Sequence, residues 1–99
     1  MNTFAAAPVV IPIEETVDGY KGDLALELRC ITEEEPLTPQ ISWFFDGEKL
    51  EDSVHYRLSQ NGSLLIINMM PSLAGDYLCK AESIVGSGNA TVNLRYAGE

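Results

Sequence analysis

The sequence predicts an all-β domain made of two antiparallel sheets packed face to face. Three observations carry that reading. Apolar and polar residues alternate in short runs, as at Leu24-Ala25-Leu26-Glu27-Leu28-Arg29-Cys30 and Ile41-Ser42-Trp43-Phe44-Phe45, which is the period of strands with one buried face. Turn chemistry such as Asp46-Gly47 and Asn61-Gly62 separates the runs, and no helical period extends beyond one turn. Cys30 and Cys79, distant in the chain, both fall on inward positions, which favours a sandwich over a closed barrel. A chain of 99 residues has room for one core and no second. A fold of this size buries about 60–70% of the surface its unfolded chain exposes, so a covalent staple would help.

Taken in order, residues 1–7 carry neither periodicity nor turn chemistry and are expected to be a linker or frayed terminus, with a single domain over residues 8–97. Pro8-Val9-Val10-Ile11-Pro12-Ile13 is β-branched but bracketed by prolines, which suits an edge strand broken at Pro12 that crosses to the other sheet around Ile13–Val17. Asp18–Gly22 supplies a turn. In the next strand Leu24, Leu26, Leu28 and Cys30 share one face, expected inward. Glu33–Pro39 is a polar loop, and Ile41, Trp43 and Phe45 form the inner face of the strand that follows. Asp46-Gly47 closes a tight hairpin, and Asn61-Gly62 is expected to be a second turn of the same kind.

Between those turns, short strands are expected at Glu48–Leu50 and His55–Leu58. Ser63–Ile67 is a strand apolar on both faces. Met69–Gly75 connects it to Asp76–Ser83, where Tyr77, Cys79 and Ala81 point inward. Val85–Gly88 turns the chain, and Thr91–Tyr96 returns it with Val92, Leu94 and Tyr96 on one side.

The net charge is −9 and unevenly placed: residues 14–52 hold 12 of the 15 acids against Lys21, Arg29 and Lys49, while the rest of the chain is balanced. Such a field repels nucleic acid and anionic membranes and is compatible with a basic protein partner. Its plainer role is solubility. No apolar run approaches the ~20 residues of a membrane span, so direct membrane insertion is not expected. Met1–Ala7 lacks the features of a secretion signal, and Met1 reads as the start of a fragment of a longer chain.

Catalytic chemistry finds little support. His55 is the only histidine and reads as a solvated surface residue. The acidic runs Glu14-Glu15 and Glu33-Glu34-Glu35 lack calcium-loop spacing, and no second histidine or spare cysteine exists for zinc. Gly86-Ser87-Gly88 reads as a hairpin turn with no phosphate-binding pattern beyond it. Neither enzyme activity nor a cofactor is expected.

Several stretches together resemble an immunoglobulin domain of the intermediate (I-set) type over roughly residues 8–96: Leu26–Cys30, Pro39–Gly47 around Trp43, Ser63–Met69, and Gly75-Asp76-Tyr77-Leu78-Cys79 through Ser83 with Gly86 beyond. The resemblance implies a Greek-key sandwich with Leu28, Trp43, Gly75 and Tyr77 as core signature. Cys30 and Cys79 would form an inter-sheet disulfide against Trp43, worth roughly 3–4 kcal/mol for a loop of about 50 residues in the chain-entropy model. Their alternative is a pair of reduced buried thiols, as in cytosolic members. Tyr77 would bond a backbone carbonyl near Leu73. Three positions depart from the family pattern. Leu73 stands where an aspartate usually pairs an arginine, so Arg57 must find another partner; Phe45 replaces a common lysine; Leu65 and Ile67 replace polar outward residues.

Asn61-Gly62-Ser63 and Asn89-Ala90-Thr91 both fit the N-glycosylation acceptor and are expected at turns or strand starts. Two outward apolar pairs, Phe44 with Leu78 and Leu65 with Ile67, are candidate partner surfaces. The resemblance implies a non-catalytic module of a larger extracellular or cell-surface protein in adhesion or ligand recognition. Its partners would be proteins, neighbouring immunoglobulin or fibronectin-type domains, or further copies of itself. The alternatives are a structural spacer in a cytoplasmic muscle scaffold of the titin and twitchin kind, or an accessory domain of an extracellular matrix enzyme.

Overall fold

The computed structural model describes residues 15–30, 40–83 and 86–98. The expected linker 1–7, the proline-bracketed strand, the loop Glu33–Pro39 and Val85 lie outside the described residues. Eight strands follow in order: β1 Glu15–Tyr20, β2 Ala25–Leu28, β3 Gln40–Phe45, β4 Glu48–Lys49, β5 Tyr56–Leu58, β6 Leu64–Ile67, β7 Gly75–Ser83 and β8 Gly86–Gly98, with a 3₁₀ turn at Pro71–Leu73. They form a five-stranded sheet, β1-β8-β7-β3-β4, and a three-stranded sheet, β2-β6-β5. All pairs are antiparallel except β1 with β8.

Alternation puts Trp43, Tyr77, Cys79, Val92 and Leu94 of one sheet against Leu28, Leu64 and Ile66 of the other, all buried. Cys30 and Cys79 are disulfide-bonded across the sheets with Cα atoms 5.9 Å apart. The β3–β4 hairpin turns at Asp46 and Gly47, whose φ values of 52° and 79° are what a two-residue primed turn requires.

Four local expectations change. Leu24 is 76% exposed rather than inward, because it precedes the β2 ladder in the bend after Gly22 and escapes the alternation that Leu26 and Leu28 obey. The first turn comes later than Asp18, since β1 continues to Tyr20. Gly19 lies inside that strand, where an added Cβ would meet Leu26 Cδ1 at 2.8 Å and Met69 Sδ at 2.9 Å. The Asn61-Gly62 turn is not a two-residue hairpin: the Ser59 N–H donates to the Ser63 carbonyl at 2.9 Å and the Gly62 N–H to the Ser59 carbonyl at 3.0 Å, and only Gly62 of the pair has positive φ. Last, the β7–β8 ladder runs unbroken from Gly75–Leu94 to Ser83–Gly86, so Gly86-Ser87-Gly88 and Asn89 belong to a strand and not to a turn.

Candidate functional site

Both outer faces hang on one buried cluster. Tyr77 donates its hydroxyl to the Leu73 carbonyl at 2.6 Å, as the family resemblance implies. That bond uses the only phenolic proton of Tyr77, so at 3.1 Å Tyr56 must be the donor to the Tyr77 oxygen. Burial first, then the hydrogen bond and charge of Tyr56, push the Tyr77 phenol well above its ordinary value of about 10. Phe45 stacks on Tyr77 with ring centroids 4.3 Å apart, and Gly75 makes that possible: a Cβ there would lie 2.7 Å from Phe45 Cε1. Leu73 is buried where the family usually has a charged clamp. Arg57 is exposed and makes no ion pair among the described residues.

Two further anchors were not foreseen. Trp43 donates its indole N–H to the Gly62 carbonyl at 2.8 Å, satisfying the polar edge of an otherwise apolar ring. A Cβ on Gly62 would come within 2.8 Å of Ile41 Cγ1, so the β5–β6 loop fits closely over this end of the core. His55 is not the solvated residue expected. It is half-buried, its Nδ1 donates to the Ile67 carbonyl at 3.1 Å, and its own carbonyl accepts the Ile67 N–H at 2.8 Å. These bonds lie in a stretch whose sequence pattern is weak, and only pairing with β6 reveals them.

On the outer face of the five-stranded sheet, Phe44 stands directly opposite Leu78, and Leu78 opposite Thr91. Both apolar residues are half-buried. They line an open groove of about 400 Å³ together with Asp46, Gly47, Asp76, Lys80 and Asn89. Asp76 is held by the Asn93 amide at 2.8 Å. Farther along, Arg95 pairs with Asp18 at 3.1 Å.

On the outer face of the three-stranded sheet, Leu65 and Ile67 follow each other along β6, both half-buried. The register sets Leu65 between Glu27 and Arg57 and places Ile67 beside Ala25. The result is an apolar ridge edged by opposite charges. Among the described residues no cluster of potential ligands could hold a metal ion.

The sequons differ in setting. The Asn61 side-chain oxygen accepts from the Ser59 hydroxyl and, at 3.0 Å, from the Ser63 N–H, and Ser63 is only 5% exposed. Asn89 and Thr91 are both exposed on β8.

Two sheets joined by a disulfide, with a buried tryptophan against it and a tyrosine closing the β7 corner, define an immunoglobulin-type sandwich. The chain belongs to the immunoglobulin I-set domain family, whose pattern it matches over residues 11–95. It is 36% identical over 72 residues to Hemicentin-1 of Mus musculus, a match covering 73% of this chain and 1% of that protein. It is 37% identical over 67 residues to the mouse protein "Cell adhesion molecule-related/down-regulated by oncogenes", covering 65% of this chain and 5% of that one. The I-band fragment I67–I69 from titin superposes with a TM-score of 0.78 at 28% identity, covering 91% of this chain and 32% of the fragment. The chain thus spans 1% and 5% of the two curated relatives' lengths and about a third of the titin fragment.

Proposed function

We propose that this domain is a non-catalytic protein-interaction module of a larger extracellular or cell-surface protein, and that it contacts its partner through the outer face of the three-stranded sheet. The observation that carries the reading is the Leu65–Ile67 ridge. Two adjacent apolar side chains stand half-buried on an outer sheet face, edged by Glu27 and Arg57, which is the apolar-centre, polar-rim pattern of protein interfaces. The disulfide supports an oxidising compartment, and the similarity to a protein named as cell adhesion molecule-related supports the role. Similarity to the titin fragment favours a second reading, a spacer domain in an intracellular scaffold.

The test is Leu65→Lys combined with Ile67→Thr. Beads carrying the double variant should lose self-association or cell binding that wild-type beads show, with folding stability changed by no more than about 1 kcal/mol. Unchanged binding would remove the face from consideration, and a stability loss of several kcal/mol would show that the ridge is core. Thiol titration under denaturing, non-reducing conditions separates the two compartments: protein from its natural source should present no reactive thiol, and two would favour the scaffold reading.

A further inference from the structure

The groove over Phe44 and Leu78 contains its own acceptor for a sugar. Asn89 lines it, Asn89 pairs with Lys80, and Thr91, the third residue of the sequon, pairs with Leu78. In an extended strand residues two apart project to the same side, so Asn89 and Thr91 share the outer face with Phe44 and Leu78. Both are exposed, and among the described residues the Asn89 amide makes no hydrogen bond, so the fold does not compete for its nitrogen. The groove offers an aromatic ring and a leucine beside Asp76, Lys80 and Asn89. That combination suits a pyranose, which has an apolar C–H face to set against the π surface of Phe44 and hydroxyl and acetamido groups for the polar margin. Its volume of about 400 Å³ falls within the ~300–1,000 Å³ of small-ligand sites.

We propose that Asn89 is an N-glycosylation site whose innermost N-acetylglucosamine seats in the Phe44–Leu78 groove, closing this face with the protein's own glycan. The inference rests on the extracellular reading above. In the transfer, Asn89 Nδ2 forms a bond to the anomeric carbon of the sugar and gives up one proton. The bond from that carbon to the pyrophosphate of a lipid-linked oligosaccharide donor breaks, and the lipid pyrophosphate leaves. The seated sugar covers Phe44 and Leu78, and the Leu65–Ile67 ridge on the opposite sheet stays open.

The experiment is to secrete the chain from a eukaryotic host, map occupancy by peptide mass spectrometry, and trim the glycan enzymatically to a single N-acetylglucosamine. Asn89 should be occupied. The trimmed form should melt roughly 4 °C above the Thr91→Val variant, which lacks the sequon, and that gain should vanish when Phe44→Ser is added to both. Nuclear Overhauser contacts between the Phe44 ring and the sugar should appear in the trimmed wild type, a readout that does not depend on the variants folding. Bare Asn89 in a secreted, disulfide-bonded product would overturn the proposal alone. So would an occupied Asn89 with neither the melting gain nor the Phe44 contacts. Two free thiols in protein from the natural source would overturn the extracellular reading, and the proposal with it.

Discussion

The two sheets present apolar residues to the outside in different geometries. On the five-stranded sheet Phe44 and Leu78 sit on neighbouring strands in register, and the space between them opens into a groove. On the three-stranded sheet Leu65 and Ile67 sit on one strand, two residues apart, flanked by Glu27 and Arg57. On the proposals above, the cross-strand pair with polar groups at its margin holds a small ring, whereas the single-strand ridge meets a broad surface. Exposed hydrophobicity alone would not have separated them. The register does.

The largest effect should come from breaking what both faces share. Trp43→Ala removes a buried indole and leaves the Gly62 carbonyl without its donor. It should cost about 3–5 kcal/mol, read by chemical denaturation, and should disturb both faces together. Next, Tyr77→Phe deletes the bond to Leu73 and strands the Tyr56 hydroxyl, for about 1–3 kcal/mol.

Tyr77→Phe also has a pH signature. Because the folded phenol is held well above its unfolded value, the stabilisation is fully present below about pH 10 and lost above it, where the unfolded chain releases a proton the folded one retains. Wild-type stability should therefore fall more steeply than that of Tyr77→Phe above about pH 10, as measured by denaturation at a series of alkaline pH values. Equal slopes would contradict the assignment.

Smaller still, Leu65→Lys/Ile67→Thr and Phe44→Ser/Leu78→Ser should each change stability by no more than about 1 kcal/mol, yet differ in consequence: only the first should abolish partner binding in the glycosylated protein. The smallest effect is expected from Arg95→Ala. Its ion pair with Asp18 joins β8 to β1 on an exposed surface, so a loss of about 0–1 kcal/mol is expected, with both faces unchanged.

The β7 motif was legible almost to the atom through the family resemblance, which implies the bond from Tyr77 to a carbonyl near Leu73. The Asp46-Gly47 hairpin was legible because its backbone conformation is set by the two residues themselves. Contacts that depend on strand register were not. Tyr56, His55 and Gly62 gain their roles only once β5, β6 and the loop between them are placed beside the core. The Asn61-Gly62 dipeptide carries a hairpin signature, yet the surrounding Ser59–Ser63 backbone bond lengthens its loop. Leu24 obeys the alternation in sequence but precedes the ladder that would enforce it. The two outward pairs could be proposed from alternation. That Asn89 reaches the groove of one of them required the β7–β8 register, which carries its strand through a segment whose glycines suggested a turn.

The division between the faces is tested most directly by paramagnetic relaxation from a neutral, water-soluble probe added to the secreted glycoprotein. The Leu65 and Ile67 methyl signals should broaden strongly, while the Phe44 ring and Leu78 methyl signals are protected and lose that protection when the glycan is removed. Equal broadening of both sets before deglycosylation would contradict the account.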